Sequence, residues 1–199
     1  ILYNVGSRDE DPSLTGLAHL FEHLMFGGTV NIPEYDKHLQ LAAGENNAFT
    51  NNDITDFYIT LPADNLETGF WLESDRMNEL DFSEKNLETQ KKVVIEEFRQ
   101  RYLNQPYGDA MLILRPMVYK KHPYRWPTIG IDISHIEKTS IGDIKQFFYS
   151  HYAPNNAILT LTGNVNAETA YRLSEKWFGP IKKRNIKNRL LPAAPEQRF

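Results

Sequence analysis

The chain has 199 residues and no cysteine. That absence excludes a disulfide framework, a thiolate metal site, a cysteine nucleophile and an iron–sulfur cluster. Also missing is any apolar run near the roughly 20 residues that a membrane-spanning helix needs. There is no basic excess either. Lys plus Arg is 22 against 26 Asp plus Glu, a net charge of -4, so the sequence lacks the footprint of a nucleic-acid binder. No internal repeat or low-complexity stretch interrupts it. A soluble protein is expected, 41% apolar, with one domain that buries roughly 70% of its unfolded surface and needs no metal merely to fold. Residue 1 is Ile, and Ile1-Leu2-Tyr3-Asn4-Val5 reads as the second half of a strand. The natural N-terminus, and any signal peptide, are therefore expected upstream.

Short extended segments alternate with longer amphipathic ones. Strands are expected over 1–6, 46–50, 54–61 and 157–163, and Asn51-Asn52-Asp53 supplies turn chemistry for a hairpin joining the middle two. Helices are expected over 14–26, 33–42, 64–79, 84–104, 107–119, 140–151 and 167–178. Ser83, Ser140 with Asp143, and Asn166 are start signals, while Gly27-Gly28 and Gly179-Pro180 are stop signals. The fold class that follows is α+β, a mixed and largely antiparallel sheet with helices packed on it. The segment 120–135 holds two prolines and shows no period, and reads as a long ordered loop. From Lys182 the chain turns basic and then passes Pro192 and Pro195. The domain is placed at 1–191, with 192–199 an exit segment toward a second domain.

The chemistry concentrates in Leu17-Ala18-His19-Leu20-Phe21-Glu22-His23-Leu24-Met25-Phe26. At about 100° per residue, His19, Glu22 and His23 share about 100° of arc on a helix whose other positions are apolar. Two imidazoles at i and i+4 project side by side and can reach one zinc ion at about 2.0 to 2.1 Å. Glu22 lies beside that metal, where a carboxylate can take a proton from activated water and pass it to a leaving amine. The plainer alternative is a solvated helix face, and the H-x-x-E-H pattern arises by chance in roughly 1% of such sequences. A solvent face on so apolar a helix would, however, use Lys, Glu and Gln rather than two of only six histidines.

A catalytic zinc takes three protein ligands and a water, and without cysteine the third must be His, Asp or Glu. On the helix over 84–104, Leu87, Val94 and Phe98 define the buried side. Glu96 lies about 160° from Val94 and Glu97 about 60° from it, so Glu97 sits at the core's edge and is the better ligand. The alternative for Glu97 is a boundary carboxylate paired with Arg101 at i+4. Gln90, two turns earlier on the same edge, can hydrogen-bond a ligand from behind. His38, His122, His135 and His151 lack ligand spacing and read as surface or packing residues. Trp71, Trp126 and Trp177 stand singly, as core and loop anchors.

Taken together, these segments resemble the inverted-motif zinc peptidases of the pitrilysin, insulin-degrading enzyme and mitochondrial processing peptidase family. The matching residues are Gly6-Ser7-Arg8-Asp9-Glu10, Thr15-Gly16 leading into the zinc motif, Phe26-Gly27-Gly28-Thr29, Glu45-Asn46-Asn47-Ala48-Phe49-Thr50, Val93-Val94-Ile95-Glu96-Glu97, Asn104-Gln105-Pro106-Tyr107-Gly108 and Tyr152-Ala153-Pro154-Asn155-Asn156. The resemblance covers nearly the whole chain as that family's first, metal-carrying domain. It implies one zinc ion on His19, His23 and Glu97, with Glu22 as general base. It also implies that Asn47, Ala48 and Phe49 lie on an edge strand to which a substrate peptide adds main chain to main chain. The alternative is that Asn46-Asn47 only punctuates a loop and a strand.

Two departures stand out. Gln90 takes the place where many active relatives carry a glutamate. The second, similar domain or partner subunit that completes the family's substrate chamber with an Arg and a Tyr is not in these 199 residues. The expectation is a zinc metalloendopeptidase domain acting on peptides or unstructured segments. Its competitors are a catalytically silent scaffold subunit and a zinc lyase of the quorum-signal type. The intact Glu22 argues against the first, and the missing cysteine ligand against the second.

Overall fold

The hairpin forms, and Asn51 makes it. Its Oδ1 accepts from the backbone N–H of Asp53 (2.7 Å) and of Ile54 (3.0 Å), while its own N–H donates to Ile54 O (3.0 Å). Strands β2 (Glu45–Thr50) and β3 (Thr55–Thr60) therefore run antiparallel in a register from Glu45↔Thr60 to Thr50↔Thr55. The computed structural model describes residues 1–186 and 190–193. In it β3 pairs also with β1 (Leu2–Tyr3), and β1 with β4 (Ala157–Ile158), every pair antiparallel, in the order β2-β3-β1-β4. This places β2 at an edge of the sheet.

The strand expected over 157–163 stops at Ile158. Its register sets Leu2 against Ile158 and Tyr3 against Ala157.

The seven expected helices are present: α1 (Leu17–Phe26), α2 (Tyr35–Leu41), α3 (Leu66–Asn78), α4 (Glu84–Phe98), α5 (Ala110–Val118), α7 (Ile141–His151) and α8 (Ala167–Phe178). Capping follows the sequence signals. Ser83 accepts from Asn86 N, Ser140 and Asp143 form a reciprocal box, and Asn166 accepts from Thr169 N. Past Phe98 the helix continues as a π-helical turn, Arg99–Leu103, within the expected span.

The loop read over 120–135 needs correction. It carries a 3-10 turn at Pro123–Arg125, and its end opens α6 (Ile133–Lys138), started by Asp132 accepting from Ser134 N at 2.8 Å. Six residues are too few for a hydrophobic period to show, and α6 is held chiefly by burial of Ile136.

One core draws on the whole order of elements: Tyr3 and Phe57 from the sheet, Leu20, Phe21 and Leu24 from α1, Leu87, Val94 and Phe98 from α4, and Ile144, Phe147 and Phe148 from α7. Of the exit segment expected over 192–199, residues 194–199 lie outside those described. Among the described residues no helix is long and apolar enough to cross a membrane.

Helix α1 starts at Leu17 rather than at residue 14, because Gly16 adopts the left-handed conformation (φ 90°) with Ile129 O packed where a Cβ would stand. Glycine leaves the helix without a capping side chain, and its first amides are buried. A glutamate from the preceding loop fills the gap. Glu10, fully buried, accepts from Gly16 N through Oε2 (2.9 Å) and from Ala18 N through Oε1 (2.8 Å). Burial pushes the Glu10 carboxyl up to about 8, with the two amides pulling against it.

Removing Glu10 strands two buried donors. Glu10→Ala is expected to lower unfolding stability by about 2 to 4 kcal/mol, and Glu10→Gln, which keeps one acceptor, by less. Urea denaturation of the three proteins measures it. A loss for Glu10→Ala within about 0.5 kcal/mol of zero would show that the cap carries no weight.

Candidate metal centre

Helix α1 buries Leu17, Ala18, Leu20, Phe21, Leu24 and Met25 and leaves one stripe for polar side chains. His19 and His23, one turn apart on that stripe, stand edge to face with ring centroids 4.8 Å apart. The helix packs against α4, which brings Glu97 across from both rings. Glu97 Oε2 lies 3.5 Å from His19 Nε2, and Oε1 lies 3.5 Å from His23 Nε2. Each carboxylate oxygen thus faces one imidazole at a separation longer than a hydrogen bond. Ligands bound tetrahedrally at about 2.0 to 2.1 Å stand about 3.3 Å apart, so these spacings suit an ion shared by all three groups.

The donor set passes a further test. Glu97 Oε2 is buried and has no hydrogen-bond donor among the described residues, an arrangement that a bound cation would satisfy. Burial, with His23 and Arg101 adding to it, lowers the His19 pKa to about 3, so its ring is neutral with a lone pair to offer. Among the described residues, His19, His23 and Glu97 form the one group of His, Asp and Glu atoms close enough to hold a metal, all within 4.8 Å of one another.

Glu96 is exposed and turns toward Arg99 and Gln100. No ion pair joins Glu97 to Arg101 among the described residues. Both placements agree with the helical-wheel choice. Gln90 is half-buried, but no hydrogen bond links it to His19, His23 or Glu97 among the described residues. Seven residues of helix put about 10 Å of axial rise between it and Glu97.

Glu22 shares the stripe, and its environment was not foreseen. The Thr50 hydroxyl, reaching from β2, donates to Glu22 Oε2 at 2.5 Å. Burial raises the Glu22 pKa from its ordinary value, and the Thr50 hydrogen bond opposes that rise. Strand alternation could have placed Thr50 with Ala48 on the inward face of β2; it could not name the residue that meets it. Glu10 was missed in the same way, because a capping side chain seven residues ahead of the first helical residue has no fixed spacing.

Asn47, Ala48 and Phe49 lie on the edge strand β2. Asn47 and Phe49 are exposed, Ala48 packs on the core, and Asn47 Oδ1 accepts from Ala48 N at 2.8 Å. The other histidines stand apart from the cluster. His38 lies against Trp71, His122 Nδ1 accepts from Tyr124 N, His151 is buried against Phe147, and His135 Nδ1 meets both the amide and the hydroxyl of Thr15 behind α1. Trp126 is a buried anchor whose Nε1 donates to Ser7 O (2.8 Å).

Among curated proteins, the chain is 36% identical over 194 residues to the zinc protease PqqE of Helicobacter pylori, covering 96% of this chain and 43% of that protein. It is 25% identical over 196 residues to the mitochondrial-processing peptidase subunit beta of Caenorhabditis elegans, covering 97% and 42%. The chain therefore spans a little under half the length of these relatives. A solved protease from Helicobacter pylori superimposes with a TM-score of 0.86 at 34% identity, over 98% of this chain and 47% of that one. Pitrilysin, at 20% identity and a TM-score of 0.82 over 97% and 21%, shares the fold. A model described as the peptidase M16 inactive domain matches residues 138–199. The model described as insulinase (peptidase family M16) matches residues 1–122, more than half the chain and the part that holds His19, Glu22, His23 and Glu97, and the protein belongs to that family.

Proposed function

We propose that this chain is the metal-carrying part of a zinc metalloendopeptidase, with one ion held by His19, His23 and Glu97. The observation that carries the reading is the Glu97 carboxylate, set 3.5 Å from each imidazole with one oxygen toward each. Zinc held there supplies Lewis acidity, polarising a peptide carbonyl and bringing the pKa of water toward about 7. Everything else in the chemistry falls to the chain. Glu22 Oε2 is tied to Thr50, leaving Oε1 to receive a proton from the attacking water and return it to the departing amine.

Strand β2 offers the place for substrate. A peptide can add along its outer edge, antiparallel or parallel, over Asn47, Ala48 and Phe49, with Ala48 between the other two turning its main-chain groups outward. Such recognition reads backbone more than side chains and favours extended, unstructured substrates. The domain comprises 1–191, and 192–199 leads toward a second, similar domain or meets a partner subunit that closes the chamber. The length of the relatives supports that arrangement. A silent scaffold would have no use for a carboxylate held as Glu22 is.

The purified protein is expected to hold about one zinc per molecule, lost in His19→Ala and in Glu97→Ala and kept in Glu96→Ala, as read by metal analysis. Zinc retained by Glu97→Ala but lost by Glu96→Ala would reverse the ligand assignment.

When the second half is supplied, Glu22→Gln is expected to keep zinc and lose at least about 10² in turnover of a quenched peptide, the lower end of what general base catalysis contributes. Unchanged turnover would sink the mechanism.

The 199-residue chain alone is expected to bind zinc and yet cleave far more slowly than the closed form. A peptide on an open edge gains main-chain hydrogen bonds of about 0.5 to 1.5 kcal/mol each and spends a comparable amount on ordering. Adding the second half, in cis or in trans, should restore the rate. Equal specific activity with and without it would show that the chamber is dispensable.

A further inference from the structure

The hydroxyl that meets Glu22 comes from the strand on which the peptide is proposed to lie. Along β2 the side chains alternate: Glu45, Asn47 and Phe49 are exposed, while Asn46, Ala48 and Thr50 are half-buried on the face toward α1. Phe57 N, opposite Ala48, donates away from β2 to Ile1 O, and Ala48 N donates to Asn47 Oδ1, so the main-chain groups of Ala48 point to the free edge. Thr50, two residues on, has the same parity. A peptide ladder on this edge is thus built on residues whose side chains look inward at the metal helix.

Thr50 is also well fixed. It is the last residue of β2, paired with Thr55, and the turn after it is pinned from a second direction by Ser7 N donating to Asn51 O (3.1 Å) and Arg8 N to Asn52 O (2.9 Å). A β-branched side chain in a strand has few rotamers. Glu22, by contrast, has a flexible side chain whose carboxylate needs a partner to hold one direction.

We propose that Thr50 is a positioning residue that fixes the Glu22 carboxylate relative to a peptide docked on β2, so that the base and the scissile bond share one strand as their reference. The inference rests on the general-base reading of Glu22 given above. Through its hydroxyl Thr50 acts on turnover, and it contributes to neither zinc binding nor peptide affinity.

The test is a double-mutant cycle in the zinc-loaded protein supplied with its second half, with a quenched peptide as substrate. Thr50→Val keeps the branched shape and removes only the donor. It is expected to lower kcat about 10-fold, part of what a general base contributes, with KM, zinc content and thermal midpoint unchanged. Thr50→Ser should recover most of the lost kcat. In the Glu22→Gln background Thr50→Val should cost nothing more, because the group it positions is already gone. Zinc affinity by chelator competition supplies a readout independent of turnover. If Glu22→Gln abolishes turnover while Thr50→Val turns over like the unaltered protein, or if Thr50→Val acts on KM or zinc affinity instead, the inference fails and the general-base reading stands. If Glu22→Gln is itself without effect, both fail.

Discussion

The structure depends on burying α1 on nearly every side. A helix whose apolar positions fill all but one stripe can sit at the centre of a domain, but its N-terminal amides and its three polar side chains then lose water. Each must find a partner within the protein. Glu10 takes the amides of Gly16 and Ala18, Thr50 takes one oxygen of Glu22, and Glu97 comes to face both imidazoles. The loop 6–10, strand β2 and helix α4 are thereby tied to one short helix.

That arrangement explains why the proposed chemistry is concentrated on a few rigid elements. Ions bound by groups on three loops could shift with each loop. Here the two proposed histidine ligands and the proposed base ride on a single helix, and the proposed third ligand rides on a helix packed against it, so their relative positions change only if the core repacks. His19, more buried than His23, stays neutral for the same reason that its helix is stable. Stability and metal-binding competence draw on the same packing.

The sequence made the regular part of this legible. Periodicity placed His19, Glu22 and His23 on one stripe, and a helical wheel separated Glu97 from Glu96, because a helix fixes angles by counting. Asn51 announced its turn through side-chain chemistry that acts within three residues. What stayed hidden depends on distance in space. Nothing local links Glu10 to Gly16 or Thr50 to Glu22, since the loop and the hairpin that carry them can be any length. Helix α6 escaped because six residues hold less than two turns.

The edge of β2 follows the same logic from the other side. An unpaired strand edge must hide its amides or offer them, and Ala48 N is held by the neighbouring Asn47 side chain at 2.8 Å. That contact is local and easily exchanged: a peptide carbonyl aligned along β2 can replace the Asn47 Oδ1 acceptor, which one rotamer change displaces. The edge is then satisfied when empty and open when a strand arrives. In the proposed role this suits a peptidase that must release its products as readily as it takes up substrate, because the same side chain that yields to the incoming peptide is ready to replace it when the cleaved halves leave.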